Sequence, residues 1–231
     1  MGEIATRNGS PHMNSDEKAD KPPKGNRFIL ALHSSSEVFG VGIIDLKESN
    51  QYFKSSTFNI GRKLSNCIIE CIETILPASR WEEINRIAVA TGPGGFTSTR
   101  LGVAFGRTLA QQIKCPLHGV SSYLIMSQRL CKLLNESDQK KPFWITQELK
   151  RRGVIAGQYI VNNGIEAQEI YRPKLLQKGV EINPCVAAED NVEKDIISLL
   201  KIALNAKEKS LEGKWEEIVP IYPTSPVDNI K

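Results

Sequence analysis

The first sustained hydrophobic pattern begins at Arg27. Residues 28–32 form a short apolar run, the length and character of a buried strand. The polar turn His33-Ser34-Ser35-Ser36-Glu37 ends it. Residues 38–46 resume a strand with Val41, Ile43 and Ile44 as β-branched members. A turn at 47–50 leads to a third strand near 52–58, so the opening reads as an antiparallel meander. A helix then starts at Gly61 or Arg62. Leu64, Cys67, Ile68, Cys71, Ile72, Ile75 and Leu76 recur every three or four residues along one face, and Pro77 stops the helix. Ile69 falls off that stripe, leaving the helix apolar on a second side.

Alternation follows. Residues 81–85 lead into a strand at 86–91, which runs into Gly92-Pro93-Gly94-Gly95-Phe96-Thr97. A second helix spans 98–113, with Leu101, Phe105 and Leu109 as its apolar stripe. Gly102 and Gly106 lie one turn apart there, so a neighbouring element can approach closely. A strand at 117–120 and a helix at 122–134 complete this half. The order β-β-β-α-β-α-β-α predicts an α/β fold, a mixed sheet flanked by helices. The polar stretch 135–142 reads as a loop or hinge. Beyond it come a strand at 154–161, the turn signal Asn162-Asn163-Gly164, a returning strand at 168–171 and an amphipathic helix at 188–209. The tail 220–226 is proline-rich and extended. Residues 1–25 carry no hydrophobic stretch and read as a disordered leader, with Gly9-Ser10-Pro11-His12-Met13 open to a cloning origin.

Charge and composition change this picture little. A net charge of +4 and a pI near 8.7 permit contact with nucleic acid without arguing for it. Lys140-Lys141 and Lys150-Arg151-Arg152 read as solvated turns rather than an RNA patch. No apolar run reaches the length of a membrane helix. Cys67, Cys71, Cys115, Cys131 and Cys185 show no CxxC spacing and read as small buried side chains in a reducing cytoplasm.

The chemistry is sparse. A strand, a glycine loop and a helix could cradle a phosphate on free helix amides. The Walker pattern nevertheless lacks its Lys-Ser/Thr pair, and Thr97 occupies the third glycine place of the dinucleotide pattern. Taken alone, the loop reads equally well as a structural turn. Of the histidines His12, His33 and His118, none has a second ligand at metal spacing. No GxSxG elbow is present, and Glu82-Glu83 and Glu216-Glu217 are adjacent pairs that do not converge on a helix.

A family resemblance adds to this. Residues 91–110 (TGPGGFTSTRLGVAFGRTLA) closely resemble the signature of the TsaB (YeaZ) family, GPGSFTGxRxGxxxxxGLA. Residues 115–122 (CPLHGVSS), 29–36 (ILALHSSS) and 150–159 (KRRGVIAGQY) resemble further family segments, so the likeness runs from about 27 to 228. It implies an actin-like ASKHA (ribonuclease H-like) fold of two lobes, 26–134 and a smaller 135–231. It also implies a non-catalytic scaffold without cofactor, in which weak nucleotide binding at the complex interface stays open. The implied partner is TsaD, with the ATPase TsaE joining. Together they transfer threonylcarbamoyl from its adenylate to the adenosine beside the anticodon of tRNA, and tRNA is reached only through the complex. Helices 62–76 and 98–113 would pack on TsaD, through Leu64, Ile68, Ile69, Ile72, Leu101, Phe105 and Leu109. A homodimer through the same surface is the expectation without TsaD. The glycine-loop motif maps to Gly92, Pro93, Gly94, Gly95, Phe96, Thr97 and Arg100.

Two departures stand out. His33 replaces the family aspartate, and an imidazole cannot copy a carboxylate's charge. Gly95 replaces the usual serine. The rival reading is a catalytic actin-like nucleotide-binding enzyme, either TsaD-like or a small-molecule kinase. TsaD holds metal through a histidine motif where this chain has Ser121-Ser122-Tyr123-Leu124-Ile125-Met126. A direct tRNA-binding module is a third reading, resting on net charge.

Overall fold

Strand β1 (Phe28–His33) is buried along its whole length, which is why it reads as an unbroken apolar run rather than an alternation. In the computed structural model, residues 26–48, 52–150, 152–162, 166–177 and 179–224 are described. The leader 1–25, the end of the 47–50 turn, Arg151, Asn163-Gly164 and the end of the 220–226 tail lie outside them.

β1 pairs antiparallel with β2 (Val38–Asp45), and β2 pairs antiparallel with β3 (Tyr52–Asn59), as the meander predicts. On its other side β1 runs parallel to β4 (Ile84–Ala90), which in turn pairs parallel with β5 (Leu117–Val120). The sheet order is β3-β2-β1-β4-β5. Side chains alternate across it. Phe28, Leu30, Leu32, Val41, Ile43, Ile87 and Val89 form one core with α1 (Leu64–Glu73) and α2 (Phe96–Ile113). The predicted helix 62–76 is shorter here: Gly61–Lys63 form a 3-10 turn before α1. Residues 81–85 likewise fall in a 3-10 turn, Ala78–Glu83, and at Ile84, where β4 begins.

The other face carries Ile29, Ala31, Ile44, Ala88 and Ala90, covered by Ile196, Leu199, Leu200 and Ala203. These belong to the last helix, whose described extent is Val192–Glu208. Its seat on the sheet depends on small residues. Ala31 lies between Gly42 and Ala88 in register. A Cβ at Gly40 would come within 2.5 Å of Val192, and one at Gly42 within 2.9 Å of Leu200.

The second sheet has the order β8-β7-β6-β9. Its strands are β6 (Phe143–Leu149), β7 (Gly153–Asn162), β8 (Glu166–Leu176) and β9 (Cys185–Ala187). The helix α3 (Ser122–Cys131) packs Tyr123, Met126 and Leu130 against Phe143, Ile145, Ile155 and Tyr159 of this sheet. The last helix, now α4, follows the second sheet in the chain but covers the first. Asn191 caps it, accepting a hydrogen bond from the Lys194 amide at 3.2 Å. Arg129 of α3 donates to both oxygens of the buried Asp195 at 3.2 Å and to the Glu189 carbonyl at 2.6 Å, tying α3 to α4. After α4 the chain runs back over the first sheet. The Leu117 amide donates to Gly213 (3.1 Å), the Ile221 amide to Thr91 (2.7 Å), and the Leu175 amide of β8 to Pro223 (3.3 Å).

Two histidines sit in this frame, His33 buried and His118 half-buried. His33 ends β1 at 1% exposure, and neither of its ring nitrogens bonds another described residue. Burial pulls its imidazole down to about 4. His118 contacts the Arg86 guanidinium, and burial followed by that neighbouring charge pulls it down to about 4 as well.

Two outcomes follow. Gly42→Val should lower stability by about 1–3 kcal/mol in urea titration, because α4 must move off the sheet; an unchanged midpoint would mean that α4 is not seated there. The histidines set a pH dependence. Between their ordinary value of 6.5 and about 4, the unfolded chain takes up protons that the folded chain refuses, so stability falls as pH falls through that window. The contribution of His33 over the full window is on the order of 3 kcal/mol. Urea midpoints at pH 7 and pH 5 should differ less in His33→Asn than in the parent chain; equal differences would contradict a neutral buried imidazole.

Candidate functional site

The site grows from the carboxyl ends of the parallel strands β1 and β4, the end at which open α/β sheets place ligands. Beyond β4 the chain turns at Gly92, whose φ of +93° favours a residue without Cβ. The Ser122 amide donates to the Gly92 carbonyl at 2.7 Å, fixing the turn to the start of α3. Gly94 then passes directly over the turn that follows β1: a Cβ there would lie 2.0 Å from the Ser35 carbonyl oxygen. The Gly95 amide donates to that same carbonyl at 2.6 Å. Nearly two turns into α2, a Cβ at Gly102 would lie 2.0 Å from Ser34 Oγ. The two loops therefore interlock backbone to backbone, and the glycines at 94 and 102 are what let them meet.

At Gly95, a Cβ would meet the Ser35 carbonyl oxygen at an ordinary 3.8 Å and crowd Ser98 Oγ, at 2.7 Å. That is the mobile end of a small side chain, so a serine could be seated there by a shift of Ser98. Gly95 is also the N-cap of α2, which has no side-chain cap. Since the Gly95 amide is spent on Ser35, one of the amides a phosphate would need is already occupied.

A cleft of about 390 Å³ opens beside this interlock. Ser35 and Ser36 line it from the turn after β1, Arg62 from the 3-10 turn before α1, Gly94 and Gly95 from the loop, and Gln147 and Asp190 from the second half of the chain. Arg62 is offset there by Glu37 and Asp190, so the cleft carries no surplus of positive charge for a polyphosphate. Burial raises the Asp190 carboxyl above the usual range. His33 lies outside the lining.

The segment 121–126 is given over to structure. Ser121 Oγ donates to Glu169 at 2.6 Å, Tyr159 OH donates to the same oxygen at 3.3 Å, and Ser122 Oγ donates to Ser35 Oγ at 2.8 Å. Tyr123 OH donates to Gln147 at 3.3 Å. Among the described residues no group of three or more His, Cys, Asp or Glu is placed to hold a metal. No described helix is long and apolar enough to cross a membrane.

The residues expected to meet a partner separate into two groups. Leu64, Ile68 and Ile72 of α1 and Leu109 of α2 are buried in the chain's own core. Ile69 is 50% exposed, while Leu101 and Phe105 are half-buried, packed against that core from outside. Of the loop motif, Gly94, Gly95, Phe96, Thr97 and Arg100 are exposed and Gly92 and Pro93 are buried. Sequence reasoning missed Ser34 as the seat of Gly102, and it missed Gln147, Asp190 and the C-terminal Tyr222. No motif marks these; the fold brings them in from distant segments.

Comparison with known proteins bears on this arrangement. The family model for TsaD, tRNA N6-adenosine threonylcarbamoyltransferase, matches residues 59–159, from the approach to α1 into β7. The TsaB protein of Buchnera aphidicola from Acyrthosiphon pisum, a tRNA threonylcarbamoyladenosine biosynthesis protein, is 24% identical over 166 residues, 68% of this chain and 70% of that one. The TsaB protein of Buchnera from Schizaphis graminum is 28% identical over 138 residues, and the match spans 59% of this chain and 62% of that relative. TsaB of Escherichia coli K12 is 29% identical over 102 residues, 43% of this chain and 42% of that one. Among solved structures, YeaZ of Pseudomonas aeruginosa aligns with a TM-score of 0.63 at 17% identity, over 85% of this chain and 99% of that one. A second Pseudomonas structure, described as similar to peptidase YeaZ, gives 0.65 at 19% identity, over 86% and 100%. These structures share the fold, α/β and actin-like with mixed sheets flanked by helices. With the signature residues of the glycine loop placed as described, the chain is similar to the TsaB (YeaZ) family in sequence and shares the fold of its solved members.

Proposed function

We propose that this chain is a non-catalytic subunit of the cytoplasmic machinery that makes threonylcarbamoyladenosine in tRNA. In this reading it pairs with a TsaD transferase and holds it in a productive conformation while the threonylcarbamoyl group is passed to the adenosine next to the anticodon. TsaE joins the pair, and no cofactor is held by this chain alone.

The observation that carries the reading is the outward side of α1 and α2. Ile69 stands exposed on α1, flanked by exposed Ser65 and Asn66. On α2 the exposed Thr97, Ala104 and Thr108 are small and uncharged, Arg100 stands exposed beside them, and Leu101 and Phe105 are half-buried against the core. Small outward side chains let a second pair of helices come close, and an isoleucine and a phenylalanine edge supply apolar area at the centre of contact. The match to the TsaD family model includes both helices. Two related folds can therefore meet through equivalent surfaces about a pseudo-twofold axis, as homologous subunits commonly do. The names of the curated relatives supply the pathway.

The choice of test follows from burial. Charges at Ile68 or Ile72 would fall in the core and unfold the chain, so they cannot report on pairing. Ile69→Glu leaves the core intact. Size exclusion with light scattering, using the TsaD protein of the same organism, should show a stable complex with the parent chain. Ile69→Glu should weaken it by about tenfold or more, with an unchanged melting temperature. If Ile69→Glu and Ala104→Arg both pair as the parent does, this surface is not the interface; if the parent ignores TsaD, the reading itself fails.

A further inference from the structure

A second cleft, also about 390 Å³, lies on the other side of the glycine loop. It is lined by Pro93, Gly94 and Thr99, by Lys150 and Arg152 at the β6–β7 turn, and by Tyr222 of the C-terminal segment. Two cations and no carboxylate are among its described lining residues. This contrasts with the first cleft, where Arg62 is balanced by Glu37 and Asp190. The rim is aromatic. Phe96 is 46% exposed and Tyr222 is 43% exposed, with ring centroids 5.3 Å apart. The Arg100 guanidinium sits 4.9 Å from the Phe96 centroid and 5.9 Å from that of Tyr222. At the back, Thr99 is only 3% exposed, yet its Oγ1 has no hydrogen-bond partner. A hydroxyl buried that deeply ordinarily bonds something.

We propose that this cleft holds a nucleotide of a single RNA strand. The base stacks on the platform of Phe96, Arg100 and Tyr222, Lys150 and Arg152 take the flanking phosphates, and Thr99 Oγ1 bonds a polar atom of the base or sugar. Cations without carboxylates select an anion, and exposed rings interleaved with a guanidinium select flat rings; the two together are the pattern of single-strand readers. An acidic peptide would satisfy the cations but add no flat ring to the platform of Phe96, Arg100 and Tyr222. The choice of RNA over DNA rests on the tRNA-modification reading above, and the rest of the argument does not. Thr99 opens to this cleft while Leu101 opens to the first one. The strand and a partner on the α1–α2 surface can thus be held together.

The test uses the full chain without any partner, so it reads independently of pairing. Fluorescence anisotropy with a labelled RNA hexaadenylate should give saturable binding. Lys150→Ala/Arg152→Ala should weaken it by about tenfold and flatten the slope of log affinity against log salt by about 1.4, two phosphates on a single strand. Tyr222→Ala should weaken it by about tenfold through lost stacking, with the salt slope unchanged. Arg62→Ala in the first cleft and Ile69→Glu on α1 should leave it as in the parent. Absence of saturable binding overturns the proposal. So does binding indifferent to both the cation and the Tyr222 variants, or binding lost instead in Arg62→Ala. AMP competing as well as the hexamer would replace the strand by a free nucleotide and overturn it likewise. Equal affinity for the DNA hexamer overturns the choice of RNA.

Discussion

The contact on which the rest of the molecule turns is the one between Ser34-Ser35 and the glycine loop. A carbonyl oxygen of the β1 turn sits where a side chain at Gly94 would have to be, and a serine hydroxyl where one at Gly102 would be. Backbone cannot approach backbone this closely with a Cβ in between. The contact fixes the direction in which α2 leaves the sheet. It also draws in the start of α3, through Ser122 on Ser35 and on Gly92. With these directions set, the loop borders two clefts, and Ser65, Thr97 and Leu101 of α1 and α2 line the first of them.

The two clefts share Gly94, Phe96 and Gln147, but their electrostatics differ. The first is lined by serines, with its one arginine offset by two carboxylates. The second has cations alone and a ring platform. The fold thus separates, within one short loop, a surface suited to neutral or weakly charged contacts from one suited to a polyanion.

Much of the first sheet was legible in the sequence. Residues 28–32 lack alternation because both faces are covered, and the stripe from Leu64 to Leu76 faces the core as its spacing implies. The glycine loop was legible as a strand-to-helix turn, and the resemblance carried by 91–110 led to the family. The second half was harder to read. The strand β6 has apolar alternation only at Phe143 and Ile145, and Gln147 and Glu148 after them are polar and exposed, so periodicity had little to detect. β9 is three residues long and exists because β6 offers it an edge. The helix at 188–209 was expected close to its actual extent, but no local pattern says which sheet it covers. That is decided by glycines at 40 and 42, far away in the chain. The stripe set Ile69 apart from Ile68 and Ile72, but it could not say that Ile68 and Ile72 are spent on the chain's own core and closed to a partner. The second cleft was out of reach because Thr99, Lys150 and Tyr222 converge only in three dimensions.

The position of α4 has a consequence for how the molecule comes into being. Both faces of the first sheet are apolar, yet the helix that covers one of them is translated after all four strands of the second sheet. On the ribosome, Ile29, Ala31, Ile44 and Ala88 must wait uncovered while the second sheet emerges. The segment that runs across Thr91 to β8 emerges later still. Until then a nascent chain presents a flat, greasy sheet face to its surroundings, the kind of surface that chaperones shield and that other nascent chains stick to. The small residues that give α4 its close fit also keep that waiting face shallow, which limits how much apolar area is offered to a wrong partner.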